Sequence, residues 1–123
     1  MRETENMRVV DKIKEVGIKN TIVGTYKLCK YKRLQKKYGF YEWNTSPFEL
    51  RKYIQDVAEY INADDPKCVI DIGCGLGELL RNIKAEQRIG IDLGEADIET
   101  AIFLDKGGAI SYEQGSFDTN MGG

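Results

Sequence analysis

Apolar positions change their spacing several times along the chain, and each change marks an element. Val9, Val10, Ile13 and Val16 recur at helical spacing and stop at Gly17, which predicts a short helix. A weaker helical pattern continues over 20–37 through Ile22, Val23, Tyr26, Cys29 and Leu34. Ser46-Pro47-Phe48-Glu49 then has the form of a helix start, with Ser46 as N-cap, proline in the first position and Glu49 closing a capping box. Leu50, Ile54, Val57 and Ile61 share one face of that helix. Its end is expected near Asn62, before the turn Asp64-Asp65-Pro66.

From Cys68 to Ile72 the pattern becomes a short apolar run around Asp71, which reads as a buried parallel strand. Leu79, Leu80 and Ile83 return to helical spacing over 78–85, and Arg88–Asp92 forms a second short strand ending in an acid. Ile98, Ala101, Ile102 and Leu104 make a further helix, stopped by Gly107-Gly108. Ala109–Tyr112 then reads as a third strand. Strands alternating with helices predict an α/β protein with a parallel sheet. No glycine- or proline-rich linker interrupts the chain, so residues 1–45 are expected to be a helical extension on a domain spanning 46–123.

Composition narrows the class without naming it. The 123 residues are 41% hydrophobic and 31% charged, ordinary for one globular domain. No apolar run approaches a membrane span and no leader pattern stands at the start, so a membrane partner is not expected. Cys29, Cys68 and Cys74 are widely spaced, there is no C-x-x-C pair and there is no histidine, which argues against zinc or another metal site. Reduced cysteines fit a cytoplasmic protein. Charge is uneven: residues 1–41 carry 11 Lys/Arg against 4 Asp/Glu, a surplus of +7, while 42–123 carry 7 against 16, or −9. The densest basic stretch (Lys27, Lys30, Lys32, Arg33, Lys36, Lys37) alternates with Tyr26, Tyr31 and Tyr38 and suits phosphate on RNA, a nucleotide sugar or a lipid head group. A solvated helix face packed against the acidic body is the plainer reading and the one favoured here.

The candidate chemistry sits between the first strand and the helix after it. Gly73, Gly75 and Gly77 permit a sharp turn and close approach to a ligand, with loop N–H groups and a positive helix end expected to face the pocket. A dinucleotide fingerprint needs G-x-G-x-x-G, and Glu78 stands where its last glycine belongs. The pattern present is D-x-G-x-G-x-G, with Asp71 leading. A carboxylate there suits a ligand carrying positive charge and is ill placed beside a pyrophosphate, which disfavours an NAD-dependent oxidoreductase.

These residues resemble motif I of the class I S-adenosylmethionine-dependent methyltransferases. The resemblance covers 66–118 and, less specifically, the helix from 46 to 62. It implies a Rossmann-like three-layer α/β/α fold, with S-adenosylmethionine held by Asp71, Gly73, Cys74, Gly75 and Gly77. Asp92, 15 residues beyond Gly77, is then expected to accept both hydrogen bonds of a ribose diol, with Leu93 beside it. Where the family carries an acid after a glycine near the third strand, this chain has Ser116 after Gly115, followed by Phe117 and Asp118. The adenine contact is accordingly expected from Ser116 and Phe117, with Asp118 as the alternative. The aromatic run Tyr38-Gly-Phe-Tyr-Glu-Trp43 is open to three uses: covering adenosine, shaping an acceptor pocket, or local packing.

The family's sheet has seven strands in the order 3-2-1-4-5-7-6, and only the first three are legible here. The expectation is therefore a partial, N-terminal portion that binds cofactor, with no catalytic residue identifiable. Its acceptor is expected to be a small molecule or glycan ahead of RNA. The first strand, lacking a fourth beside it, presents an open edge that invites pairing with another copy or with a missing C-terminal half. From that edge comes the alternative reading, a non-catalytic methyltransferase-like partner acting by association.

Overall fold

The structure is a computed structural model that describes residues 2–115, with side chains from residue 9 onward. Two helices, α1 (Arg2–Val16) and α2 (Ile18–Tyr38), are separated only by Gly17, whose own backbone bridges the break: Gly17 N–H donates to Ile13 O at 2.9 Å and Thr21 N–H to Gly17 O at 3.0 Å. Two 3₁₀ turns, Glu42–Thr45 and Phe48–Leu50, lead to α3 (Lys52–Asp64). Then follow β1 (Cys68–Ile72), α4 (Glu78–Arg81), β2 (Gln87–Asp92), α5 (Glu95–Leu104) and β3 (Ile110–Gln114). The strands pair in parallel in the order β1-β2-β3, with Ile70 beside Ile89 and Ile89 beside Ser111. The α/β class and the parallel sheet are as the apolar periods predict.

Three elements differ from expectation. The capping box does not form. Phe48 N–H donates to Glu78 Oε2 at 3.0 Å, and Glu49 is drawn away to Lys27 at 2.7 Å. The segment therefore opens as a 3₁₀ turn, and α3 starts only after Arg51, running on to Asp64. Secondly, α4 is a single turn rather than a helix to residue 85. Arg88 Nη1 takes the carbonyls of Leu80 (3.0 Å) and Ile83 (2.9 Å), which ends the helical ladder. Finally, β3 lies one residue later at its start and two at its end than the pattern suggests.

Among the described residues, helices cover one face of the sheet. Successive crossovers from β1 to β2 to β3 step in one direction, so α4 and α5 land on the same side. Leu80 and Ile98 accordingly pack with Val69, Ile110 and Tyr112. Ala58 and Ile61 of α3 join Val69, Leu79 and Ile83 on that side, and α2 forms an outer layer through Tyr31, Leu34, Leu76 and Leu104. At Gly90 in β2 any side chain would press on Cys74 Sγ (2.9 Å) and Tyr112 Cδ1 (2.9 Å), so the glycine is a packing requirement.

The opposite face carries Cys68, Ile70 and Ile72, with Ile70 55% and Ile72 50% exposed. The expected three-layer α/β/α sandwich is thus half built among the described residues, and β1 is a strand with one bare face rather than a buried one. β1 also stands at the sheet edge. No helix among the described residues is long and apolar enough to cross a membrane.

Candidate functional site

The loop from Gly73 to Gly77 turns over the end of β2 and is fastened to it. Gly73 and Cys74 donate their N–H groups to Ile91 O at 2.7 and 3.0 Å, and Gly77 N–H donates to Cys74 O at 2.9 Å. Gly75 N–H donates to Asp92 Oδ2 at 2.8 Å. These amides are therefore spent inside the protein and do not face a ligand, contrary to the sequence expectation. With α4 only one turn long, no extended helix dipole supports an anion either. The loop is a rigid shelf and a poor phosphate cradle.

Carboxylates give the site its character. Asp92 closes the loop: besides Gly75, its Oδ1 accepts from Gly94 N–H at 2.9 Å, while its backbone carbonyl accepts from Gly115 N–H at 2.8 Å. Each carboxylate oxygen retains a free lone pair, so Asp92 can still receive two hydroxyl donors. Asp71, half-buried at the end of β1, meets no hydrogen-bond donor among the described residues. Burial, and secondarily the charge of Asp92, raises its pKa above the usual carboxylate range.

This shift fixes a pH dependence. Unfolded, Asp71 ionises in the ordinary range; folded, it ionises at higher pH, so the folded state is penalised once the group is charged. The penalty is absent below the unfolded pKa, grows between the two values, and is complete above the folded one. Asp71→Asn is therefore expected to raise the melting temperature at pH 7, with the gain disappearing at acid pH. Thermal denaturation across pH measures it, and a gain that persists undiminished below the carboxylate range would contradict the assignment.

Two adjoining clefts open on this shelf. One, about 190 Å³, is bounded by Asp71, Cys74, Gly75, Asn44 and Arg51. Its neighbour, about 390 Å³, is bounded by Asp92, Leu93, Ile72, Tyr41 and Trp43. Gly73 and Asn44 line both, so the clefts share a wall. The structure thus brings together Asp71, Gly73, Cys74, Gly75, Asp92 and Leu93. Gly77 lines neither cleft and packs against Tyr112 instead. Ser116, Phe117 and Asp118 lie outside the described residues. Cys74 is buried in the core, and its thiol is pushed up to about 12 by burial and then by Asp92 and Asp71, so it is a neutral packing group and not a nucleophile.

Several site residues carry no signal in the sequence pattern. Asn44 Nδ2 donates to Asp97 Oδ1 at 2.7 Å, across 53 positions, and this holds the first 3₁₀ turn over the loop. Asp97 is 1% exposed; burial raises its pKa and the Asn44 bond lowers it, burial being the larger effect. Glu78, also buried, accepts from Tyr31 Oη, from Arg81 Nη2 at 3.0 Å and from Phe48 N–H. It joins α2, the second 3₁₀ turn and α4 at one point. No family model, curated protein or solved structure matches the chain.

Proposed function

We propose that the chain is the cofactor-binding portion of a class I S-adenosylmethionine-dependent methyltransferase, with a Rossmann-like fold. The observation that carries this reading is the pair of clefts meeting at Gly73, one with a carboxylate that has no donor among the described residues and the other with a half-satisfied one. Together their volumes fall within the range of about 300–1,000 Å³ usual for small-molecule sites. In this reading Asp71 receives the ammonium end, the loop from Gly73 to Gly75 supports the chain of the ligand, and Asp92 accepts the ribose diol while Leu93 flanks it.

The chemistry supplied by S-adenosylmethionine when bound is a methyl group on a sulfonium, open to in-line displacement. What the residues here contribute is positioning and a counter-charge. A cation in the first cleft relieves the penalty on ionised Asp71, so binding and that carboxylate's charge reinforce each other. We assign no catalytic residue. We take the acceptor to be a small molecule or glycan ahead of RNA, and the compartment to be the cytoplasm, in keeping with three free cysteines.

Calorimetric titration with S-adenosylhomocysteine tests the reading. Saturable one-to-one binding is expected, and Asp92→Ala is expected to weaken it by about 1–3 kcal/mol through loss of charge-assisted hydrogen bonds. Unchanged affinity in that variant would refute the ribose assignment.

A second reading draws on the open β1 edge and the exposed Ile70 and Ile72: a non-catalytic partner that associates with a copy of itself or with a larger enzyme. Sedimentation velocity separates the two. Association that rises with concentration favours the partner reading, and a monomer at high concentration argues against it.

A further inference from the structure

Tyr41 and Trp43 form a stacked pair, with ring centroids 4.4 Å apart and planes within 5°. Both are wet: Tyr41 is 58% exposed and Trp43 72%. Large aromatic surface held open to water is costly unless something covers it. The pair is also fixed in place. Asn44 N–H donates to Tyr41 O at 3.0 Å, Thr45 Oγ1 donates to Glu42 O at 2.8 Å, and the Asn44 side chain anchors the turn to buried Asp97 at 2.7 Å. Its contact with the loop is close, since a Cβ at Gly75 would stand 3.0 Å from Asn44 Oδ1.

Ile72 and Leu93 line the same cleft of about 390 Å³, and they too are largely exposed, at 50% and 72%. Aromatic and aliphatic surfaces therefore share one cleft whose polar members include Asp92. A ligand matching that arrangement has a flat, apolar face joined to a group bearing adjacent hydroxyls, which is a nucleoside.

We propose that Tyr41 and Trp43 are a stacking platform for the adenine base, supplied by the N-terminal segment and held against the glycine loop by the Asn44–Asp97 bond. This rests on the cofactor reading above and adds a wall to its site. Every base has a π face, so the pair contributes affinity through stacking, while orientation is left to the polar groups around Asp92.

Trp43 is the chain's one tryptophan, so its emission reports on this platform alone. Titration of the wild-type chain with S-adenosylhomocysteine is expected to change that emission along the same saturation curve as the calorimetric heat. Adenosine should also change it, and methionine should not. Trp43→Ala is expected to lose about tenfold in affinity for S-adenosylhomocysteine, whereas Tyr60→Ala, 80% exposed on α3 and outside both clefts, should lose none. Heat of binding with unchanged emission and an unaltered Trp43→Ala affinity would overturn the platform while leaving the cofactor reading intact. Absence of binding heat with the wild-type chain would overturn both.

Discussion

Glu78→Ala is expected to cost about 3–5 kcal/mol of folding stability, with a fall in melting temperature of about 10–20 °C. The carboxylate is 7% exposed and has three partners. Its removal leaves Tyr31 Oη, Arg81 Nη2 and Phe48 N–H without their acceptor, Tyr31 being buried and the other two half-buried. An unpaired buried donor costs about 1–3 kcal/mol, more when it is charged, and Arg81 is charged. Tyr31 shows how dry the site is, since burial and then the adjacent Glu78 charge push its phenol well above the usual tyrosine range. Glu78→Gln keeps an acceptor for two of the partners and gives up the ion pair, so a smaller loss is expected. Chemical denaturation of both variants measures the difference, and equal losses would show that the charge carries no weight.

Gly77→Ala is expected to lose about 2–5 kcal/mol for two independent reasons. The residue sits at φ 78°, ψ 17°, in the left-handed region, where a Cβ costs about 1–2 kcal/mol. That Cβ would also collide with Tyr112 Oη and stand 3.0 Å from Arg81 Nη1, and overpacking of this kind costs about 1–3 kcal/mol. The half-buried ring of Tyr112 packs against the cluster of Cys74, Leu80, Ile98 and Ile110, so moving it clear would give up that packing. Its buried hydroxyl makes no hydrogen bond of good geometry among the described residues, the Arg81 guanidinium being the charged group beside it, so Tyr112→Phe is expected to cost little and removes the colliding atom. The double variant should regain the collision part of the loss and keep the backbone part. Full recovery would mean that the left-handed geometry is not required.

These two residues mark where reading the chain as a pattern stops being sufficient. The strand–glycine–helix–strand frame is legible because each piece is local: a short apolar run, three glycines at alternate positions, and an acid closing the next strand. Asp71 and Asp92 stand out by that route, and they line adjoining clefts that share Gly73. Glu78 reads in the sequence only as a break in a dinucleotide pattern. Two of its three partners come from positions 31 and 48, and no local period encodes contacts at that separation. Asn44 and Asp97 are hidden for the same reason.

The Ser46–Glu49 capping box fails for a related cause, because a tertiary acceptor outcompetes the local one for Phe48 N–H. Among the described residues no layer covers the outer face of β1, and its alternating burial records this where a continuous apolar run could not. Gly77 is legible as a glycine that the loop needs, and the structure adds a packing demand that no local pattern carries, its close approach to Tyr112.

In the proposed site the first cleft takes the cationic end of the ligand through Asp71 and the second takes the nucleoside, so the two ends should respond separately to a change at Asp71. Calorimetric titration of Asp71→Asn with S-adenosylhomocysteine and, in parallel, with adenosine reads them apart. An affinity loss of about 1–3 kcal/mol is expected for S-adenosylhomocysteine, which carries the ammonium, and no loss for adenosine, which lacks it. Equal affinities of wild type and variant for S-adenosylhomocysteine, or equal losses for both ligands, would contradict it.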